Sequence, residues 1–379
     1  MPPPSPPPPA ALVEELIEEI LLRFPPDEPA SLFRASLVCR PWCRLISGPR
    51  FRRRYHKFHR TPPVLGFLCG RFTSDGVHIA RFVATSSCSP LADRRCRLFD
   101  ARHGRVLLLR SGEPGRENIL LVWDPITDEQ REIPFPKLTR PACTWKAAVV
   151  CAAAAGGACD HLDCHRGAFL VVLVIAYSPE TFIWTYSSDA GSWSDPIFTQ
   201  HHDDCVDLFY PSALVGNALY FEFWSMKRVL KYDLEFHEMS VIGLPSSFGQ
   251  RVGVFRTTDD GCLGFATVHK SKLSMWSRKH GPEADAVWTR DRVVDLETLL
   301  SSNAIRTDPR LVGFVDRIAV ILLRADNALF TVDLKTSKVK KVCEGAGSIT
   351  TVVPYMSFYT PALGAASTGE RPSAGGSSA

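Results

Sequence analysis

The sequence predicts an α+β protein of more than one domain, in which a short helical module precedes an all-β domain built as a propeller. Three observations lead to this fold. Apolar residues recur at helical spacing between residues 11 and 60, short strand candidates separated by polar turns follow from residue 61, and segments rich in proline or in small residues flank both regions. With 379 residues, 45% of them hydrophobic, the chain is long enough to bury two cores.

The two end segments have compositions that do not support a packed core. Residues 1–10, "MPPPSPPPPA", predict an extended polyproline leader, and residues 363–379 predict a disordered tail. The leader lacks the basic start and apolar centre of a secretory signal, so we expect a cytoplasmic or nuclear protein with reduced cysteines. The longest apolar run, residues 167–177, is far short of the roughly 20 residues that cross a bilayer and predicts a buried strand.

The region from residue 11 to residue 60 predicts successive helices. In residues 11–24, apolar side chains recur every four positions and glutamates fill the opposite face, and two prolines then end this first helix. Asp27 is the expected N-cap of a second helix that has Pro29 in its first turn. Pro41 starts a third short helix, and a basic stretch follows it.

The remaining chain predicts repeated antiparallel sheets. Residues 96–136 contain four strand candidates joined by polar turns, which is the pattern of one four-stranded meander. Weaker copies of this pattern occur at residues 180–195, 217–245, 261–280 and 327–342. Their turns lie roughly 45 to 60 residues apart, the interval of propeller blades with loop insertions. We therefore expect a β-propeller of about six or seven blades over residues 61–362.

Two cysteines four apart lie in the stretch "SLVCRPWCRLISGP", residues 36–49. The spacing of Cys39 and Cys43 is not that of a redox C-x-x-C motif, and a metal would need two further ligands that this segment lacks. On residues alone, burial in a small core is the expected role, because free cysteine behaves as a small hydrophobe.

The whole run from Ala11 to Phe51 resembles the F-box family. It shares that family's succession of apolar residues, a helix break, Val-Cys-x-x-Trp and a Pro-x-Phe ending, although Leu12-Val13 stands where the family usually has Leu-Pro. The resemblance implies a three-helix module that docks on the Skp-type linker of a Skp/cullin/F-box ubiquitin ligase. It places the linker-binding positions on Val13, Leu16, Ile17, Ile20, Leu32, Val38, Cys39 and Trp42.

The strand region is similar to the propeller-type associated domains of plant F-box proteins, through "LVGNALYF", "KYDLE", "LFTVDLKT" and "YMSFYTP". Together the two resemblances imply a substrate adaptor: the helices bind the linker, the propeller binds a protein target, and ubiquitin transfer takes place on other subunits. No phosphate loop, nucleophile elbow or H-E-x-x-H motif occurs, so we expect no enzyme activity. The alternative is a propeller enzyme or carbohydrate-binding protein with a helical leader.

Two loops collect potential metal ligands. "CDHLDCH", residues 159–165, contains Cys159, His161, Cys164 and His165, and "HHDDC" occupies residues 201–205. Structural zinc sites usually draw ligand pairs from separated segments, so that the metal closes a loop. We therefore expect polar blade loops, no metal and no cofactor, with zinc as the alternative.

A basic cluster follows the predicted third helix. It consists of Arg50, Arg52, Arg53, Arg54, Lys57 and Arg60, interleaved with Phe51, Tyr55 and Phe58. Such a run could follow a phosphate backbone, but it is more often the solvated face of a linking helix whose aromatic residues pack inward. Because the net charge is only +4 and acidic residues lie in the same module, we expect neither nucleic acid nor membrane as a partner.

Overall fold

A computed structural model gives the structure of most of the chain. It describes residues 14–85, 93–112, 118–138, 144–154, 156, 159–177, 180–200, 210–223, 228–245, 253–279, 287–300, 309–315 and 318–361. Val13, the leader, the tail and the histidine-rich loop at 201–205 lie outside these residues, so the predictions made for them stay predictions.

The chain forms two compact units. A helical unit takes in residues 14–63 together with 358–361, and a β-unit takes in the described residues from 64 to 357, so the chain returns to the helical unit at its end. The sequence predicts domains at 11–60 and 61–362 that fold independently, and these limits stay predictions.

Four helices form the helical unit. They are α1 (Glu14–Leu22), α2 (Pro29–Ser36), α3 (Arg40–Ser47) and α4 (Pro49–His59). Pro29, Pro41 and Pro49 each lie in the first turn of their helix, where the missing N–H removes no helical hydrogen bond. The prediction that Asp27 caps α2 is wrong: Glu28 occupies the cap, because Pro29 is already the first helical residue, and its side chain makes no capping bond.

The basic stretch forms α4, and α4 supplies part of the core. Phe51 and Tyr55 are buried and stacked, with ring centroids 5.8 Å apart, whereas Phe58 is exposed. The Tyr55 hydroxyl donates to the carbonyl of Phe24 at 3.0 Å, across the loop that follows α1. The His56 ring stacks on Phe358 with centroids 4.4 Å apart, which holds this later segment of the chain in the unit.

Among the residues that the structure describes, the β-unit has 24 strands. They are β1 (Val64–Phe72), β2 (His78–Ala84), β3 (Arg97–Arg102), β4 (Arg105–Arg110), β5 (Ile119–Trp123), β6 (Gln130–Pro134), β7 (Thr144–Cys151), β8 (Phe169–Ala176), β9 (Glu180–Ser187), β10 (Ser192–Trp193), β11 (Ile197–Gln200), β12 (Ala213–Val215), β13 (Ala218–Glu222), β14 (Arg228–Asp233), β15 (Glu238–Gly243), β16 (Gly253–Thr257), β17 (Leu263–His269), β18 (Lys272–Arg278), β19 (Trp288–Asp295), β20 (Arg310–Val315), β21 (Val320–Ala325), β22 (Ala328–Asp333), β23 (Val339–Glu344) and β24 (Ile349–Met356).

These strands form six antiparallel sheets within the described residues, and the sheets are the blades of a propeller. Four of them are meanders in chain order: β3 to β6, β12 to β15, β16 to β19 and β20 to β23. A fifth runs from β7 to β10 and carries β11 beside β9. The first strands of neighbouring blades contact one another, as β12 does with β16 and β16 with β20. The predicted propeller is confirmed, and its blade number is six.

The sixth blade joins the two ends of the β-unit. β24 pairs with β1, which pairs with β2, so the last strand of the chain becomes the inner strand of this blade. In this register Leu68 lies opposite Val353 and Cys69 opposite Val352, and all four side chains are buried. Closure of this kind removes the open sheet edge that a linear row of blades would leave.

The apolar run that predicted a buried strand forms β8. Alternate residues face opposite sides of a strand, and both sides of β8 are covered. Val171 and Leu173 belong to one core cluster, whereas Val172 and Val174 belong to the neighbouring one. Continuous hydrophobicity therefore reflects burial between two blades. Among the described residues, no helix has the length and apolar character needed to cross a bilayer.

Candidate functional site

The helical unit carries large apolar side chains on its surface. Leu16 and Ile20 are 53% and 50% exposed, and Leu37 and Val38 are 70% and 65% exposed. Phe33 is also exposed. A unit this small needs most of its apolar side chains for its own core, so an exposed set of this size is a candidate contact surface.

Helical periodicity places Leu16 and Ile20 on one face of α1, since residues four apart lie one above the other. The opposite face is buried through Leu21 and Leu22. Ile17 lies between the two faces and is half-buried. α1 therefore stabilises the unit with one face and presents leucine and isoleucine to solvent with the other.

The connection between α2 and α3 supplies the second part of the exposed apolar surface. Leu37 closes α2, and Cys39 has extended backbone as the N-cap of α3, so the chain between them runs outside both helices. Val38 and Cys39 are consequently exposed, and Trp42, in the first turn of α3, is half-buried. Cys39 therefore lies on the surface, and not in the small core that its residue type alone predicted.

The predicted linker-binding residues fall into three groups. Leu16, Ile20, Val38 and Cys39 are exposed, and Ile17 and Trp42 are half-buried. Leu32 is 1% exposed and belongs to the core of the unit, so it stabilises the fold and offers no contact surface.

Sequence reasoning missed Phe33 and Leu37. Phe33 lies on the exposed side of α2 and Leu37 follows four residues later as its C-cap, whereas Leu32 and Ala35 are buried. This spacing was visible in the sequence as a second apolar stripe on a helix too short to need two buried faces.

Ion pairs between α1 and α4 position the exposed face of α1. The Arg54 guanidinium contacts Glu18 Oε2 and Glu19 Oε1, each at 2.6 Å. Hydrogen bonding to Glu18 raises the pKa of Arg54, so both helices are joined through a permanent cation. Glu18 is buried, which differs from the expectation of an outward glutamate face; α4 packs where solvent was expected.

The basic cluster does not form one uniform cationic surface. Arg54 is engaged with two glutamates, and Arg52 is only partly exposed. Of the aromatic residues that alternate with these arginines, Phe51 and Tyr55 point into the core as predicted, whereas Phe58 is exposed. The arrangement is that of a solvated linking helix.

The cysteine and histidine loop lies in the β-unit, between β7 and β8. The structure brings Cys159, His161 and Cys164 together and adds Cys151, the last residue of β7, whereas His165 is not part of the group. Hydrogen bonding with Cys164 lowers the pKa of the Cys151 thiol to about 4, and the same contact raises the pKa of Cys164.

Sequence reasoning missed Cys151 because it ends an apolar strand and precedes an alanine-rich segment. The available signal was the position of Cys151 in the sequence. It directly follows Val149 and Val150, at the point where the strand leads into the cysteine-containing loop.

Comparison with known proteins gives a curated relative and several solved structures. The F-box protein At5g03970 of Arabidopsis thaliana is 23% identical over 357 residues, which cover 86% of this chain and 81% of that protein. A functionally unknown protein from Desulfotomaculum acetoxidans is 12% identical, with 77% of this chain and 89% of that one covered at a TM-score of 0.40. A chain of a nidogen/laminin complex is 11% identical, with 77% and 98% covered at a TM-score of 0.42. These two scores are too low to carry an argument.

Two family models match the sequence. The F-box domain model matches residues 11–54, which include α1, α2 and α3. The model described as "F-box protein AT5G49610-like, beta-propeller" matches residues 97–363, which include the blades from β3 to β24. Since this second match spans well over half of its residues, the chain belongs to the AT5G49610-like family of F-box proteins with a β-propeller.

Proposed function

We propose that this protein is the substrate-recognition adaptor of a Skp/cullin/F-box ubiquitin ligase. The helical unit docks on a Skp-type linker, and through it on the cullin, while the propeller holds a protein target. The observation that supports this proposal is the exposed apolar set on the F-box itself: Leu16, Ile20, Phe33, Leu37 and Val38.

The exposed apolar set offers enough free energy to support a stable contact. Burying one leucine, isoleucine or phenylalanine fully is worth about 1.5 to 3 kcal/mol, and these side chains still have about half or more of their surface to lose. Association costs several kcal/mol in lost translational and rotational freedom, so a few such side chains must act together. The half-buried Ile17 and Trp42 and the exposed Cys39 complete the proposed surface, with Val13 as the expected first contact.

The adaptor itself needs no chemistry. Its role is to hold a target close to the ubiquitin-transferring subunits, which makes the transfer effectively intramolecular. We accordingly expect no catalytic residue and no cofactor for this function, and a location in the cytoplasm or the nucleus where the ligase operates.

The propeller offers exposed aromatic side chains as anchors for a protein target. Phe236 lies in the turn between β14 and β15, and Phe198 lies on the edge strand β11; both are among the most exposed large side chains of the β-unit. Aromatic residues on loops and edges of a rigid scaffold are common centres of protein interfaces. We propose this kind of surface, and no particular target.

Affinity capture from cell extract tests the proposal. The wild-type chain should retain Skp-type linker and cullin, together with a target. The double variant Leu37→Asp, Val38→Asp should lose linker and cullin and keep the target, because only the F-box surface is changed. This variant is sharper than deletion of residues 11–60, since deletion would also strip His56 from Phe358.

A different outcome would support the alternative. Absence of linker and cullin from the wild-type capture, combined with turnover of a small substrate or retention of carbohydrate, would favour a propeller enzyme or carbohydrate-binding protein.

A further inference from the structure

A cluster of three cysteines and one histidine lies where β7 and β8 are joined. It comprises Cys151, Cys159, His161 and Cys164, whose sulfur and ring nitrogen atoms lie within 4.8 Å of one another. We propose that these four side chains form a structural zinc site of the Cys3His type. This inference concerns the propeller alone and does not depend on the function proposed for the F-box.

The distances suit tetrahedral zinc. With Zn–S bonds of about 2.3 Å and Zn–N bonds of about 2.0 Å, a sulfur and a nitrogen ligand lie about 3.5 Å apart and two sulfurs about 3.8 Å apart. The Cys164 sulfur lies 3.6 Å from His161 Nδ1. The widest pair in the cluster would therefore close by about 1 Å around the ion, a shift that loop side chains make by small rotations.

The ligands come from two separated segments, which is the condition that the sequence did not show. Cys151 is fixed in the sheet opposite Phe169, at the ends of β7 and β8. Cys159, His161 and Cys164 come from the loop, so the ion would tie a long blade connection to the end of a buried strand. A metal that closes a loop in this way adds its binding free energy to folding. The expectation of a metal-free polar loop is therefore revised.

Backbone groups already stabilise the sulfur atoms. The His161 N–H donates to the Cys159 sulfur at 3.3 Å, so one loop ligand accepts from the backbone of another. Such N–H to sulfur bonds orient thiolates and offset their charge. His161 has a positive φ of 56°, a strained conformation for a residue with a side chain, which turns its ring toward the cysteines.

A buried arginine supplies the charge that a Cys3His site requires. Three thiolates and one Zn²⁺ leave a net charge of −1, which is costly inside a protein unless it is paired. Arg105 is 3% exposed, donates to the carbonyls of Cys164 and Gly167 at 2.6 and 2.5 Å, and interacts electrostatically with Cys151 and Cys164. Asp124 contributes a weaker attraction to the same guanidinium.

A second histidine, His103, stacks against the imidazole ring of the proposed ligand His161. The rings of His103 and His161 are stacked, with centroids 4.1 Å apart and an angle of 6° between their planes. His103 Nδ1 accepts from the Cys151 N–H at 3.2 Å, so one imidazole contacts both the sheet ligand and the loop ligand. Outer groups of this kind fix the orientation of metal ligands. Four protein ligands leave no open position, which makes the site structural and not catalytic.

Metal analysis of the purified full-length chain tests the proposal. After expression with zinc and purification under reducing conditions, the wild type should contain about one zinc per chain, and Cys159→Ser, Cys164→Ser should retain about a tenth of that or less. The matched control is Cys39→Ser, Cys43→Ser, which changes two cysteines elsewhere in the chain and should keep the zinc. His165→Ala should keep it as well, since His165 is a neighbour and not a ligand.

A measurement on the wild type alone covers the case in which the ligand variant does not fold. X-ray absorption at the zinc edge should show three sulfur ligands at about 2.3 Å and one nitrogen at about 2.0 Å. Folded wild-type protein without zinc, zinc that survives the loss of Cys159 and Cys164, or a shell dominated by oxygen would each overturn the proposal.

Discussion

Leu16 is the residue at which the α1 part of the proposed docking surface can be changed with little harm to the fold. Half of its side chain is exposed, and its neighbours on the other face of α1, Leu21 and Leu22, hold the helix in place. Leu16→Asp puts a carboxylate into an interface that would exclude water, where an unpaired charge costs several kcal/mol. We expect the affinity for a Skp-type linker, measured by calorimetry, to fall by orders of magnitude.

The control for Leu16 is an exposed apolar residue of the propeller. Phe236→Asp introduces the same charge at a comparably exposed position and should leave linker affinity unchanged. Circular dichroism should show wild-type secondary structure for both variants. Undiminished linker binding by Leu16→Asp would remove α1 from the interface.

Leu32 should behave in the opposite way, because its side chain is buried within the unit. Leu32→Ala leaves a cavity, and such truncations typically cost about 2 to 5 kcal/mol of folding free energy. We expect the helical unit of this variant to unfold at a lower denaturant concentration than that of the wild type. The helical circular dichroism signal monitors this unfolding. Once corrected for the unfolded fraction, linker affinity should be close to wild type, and a direct affinity loss in the folded protein would return Leu32 to the interface.

The sequence could identify which residues of the F-box region are apolar but not which of them face solvent. Leu16, Leu32 and Trp42 carry the same signal of helical spacing, yet one is exposed, one is buried and one is half-buried. The difference comes from how α2 and α3 pack, which depends on contacts between helices and not on periodicity within one. Cys151 was missed for a related reason, since its partners lie beyond an alanine-rich loop.

At the level of single elements, aspartates after the third strand of a blade form a recurrent turn. Asp124, Asp233 and Asp333 each accept hydrogen bonds from the N–H groups two and three residues later. The side chain replaces a turn bond and fixes the direction of the outer hairpin. The Asp124 turn is among the polar turns predicted for residues 96–136, because Asx chemistry is local and needs no tertiary information.

The Asp333 turn gives a prediction about pH. Hydrogen bonds from Thr336 lower the pKa of Asp333 below its ordinary value of 3.8. A carboxyl whose pKa is lower in the folded state stabilises the fold above its unfolded pKa, and this contribution is lost as pH falls through the folded value. We expect Asp333→Ala to cost about 1 kcal/mol at neutral pH. Asn keeps an acceptor oxygen, so Asp333→Asn should cost less.

Urea unfolding of the wild type and both variants at neutral pH and near pH 3 measures the effect. The gap between wild type and Asp333→Asn should be present at neutral pH and should shrink in acid. A gap that is constant with pH would show that the charge of Asp333 contributes nothing.

Strand periodicity predicted the existence of blades better than their number. The meander at β3 to β6 was visible because polar turns separate its strands, and β8 was visible as a continuous apolar run. The count of six could not be read, because the sixth blade takes β24 from one end of the β-unit and β1 and β2 from the other. A sheet assembled from distant segments leaves no local pattern.

Closure of the ring should therefore control the stability of the entire propeller. β24 covers β1 on one side and contacts the first strands of its neighbours, β3 and β20. Removing residues 349–379 would expose Phe67 and Cys69 and open the backbone edge of β1 to other chains. We expect this truncation to yield insoluble protein, whereas removal of residues 362–379 alone should leave the melting temperature unchanged.

Restoring the missing strand separates closure from simple loss of chain length. Adding back a peptide of residues 345–361 in trans should recover soluble propeller if β24 acts by pairing with β1, since donated strands can complete an open sheet. The matched peptide with Val352→Lys and Val353→Lys should fail, because both side chains are buried at the junction of the first and last strands. A soluble, cooperatively melting truncation without any peptide would mean that the other five blades close without β24 and that the ring is not the unit of stability.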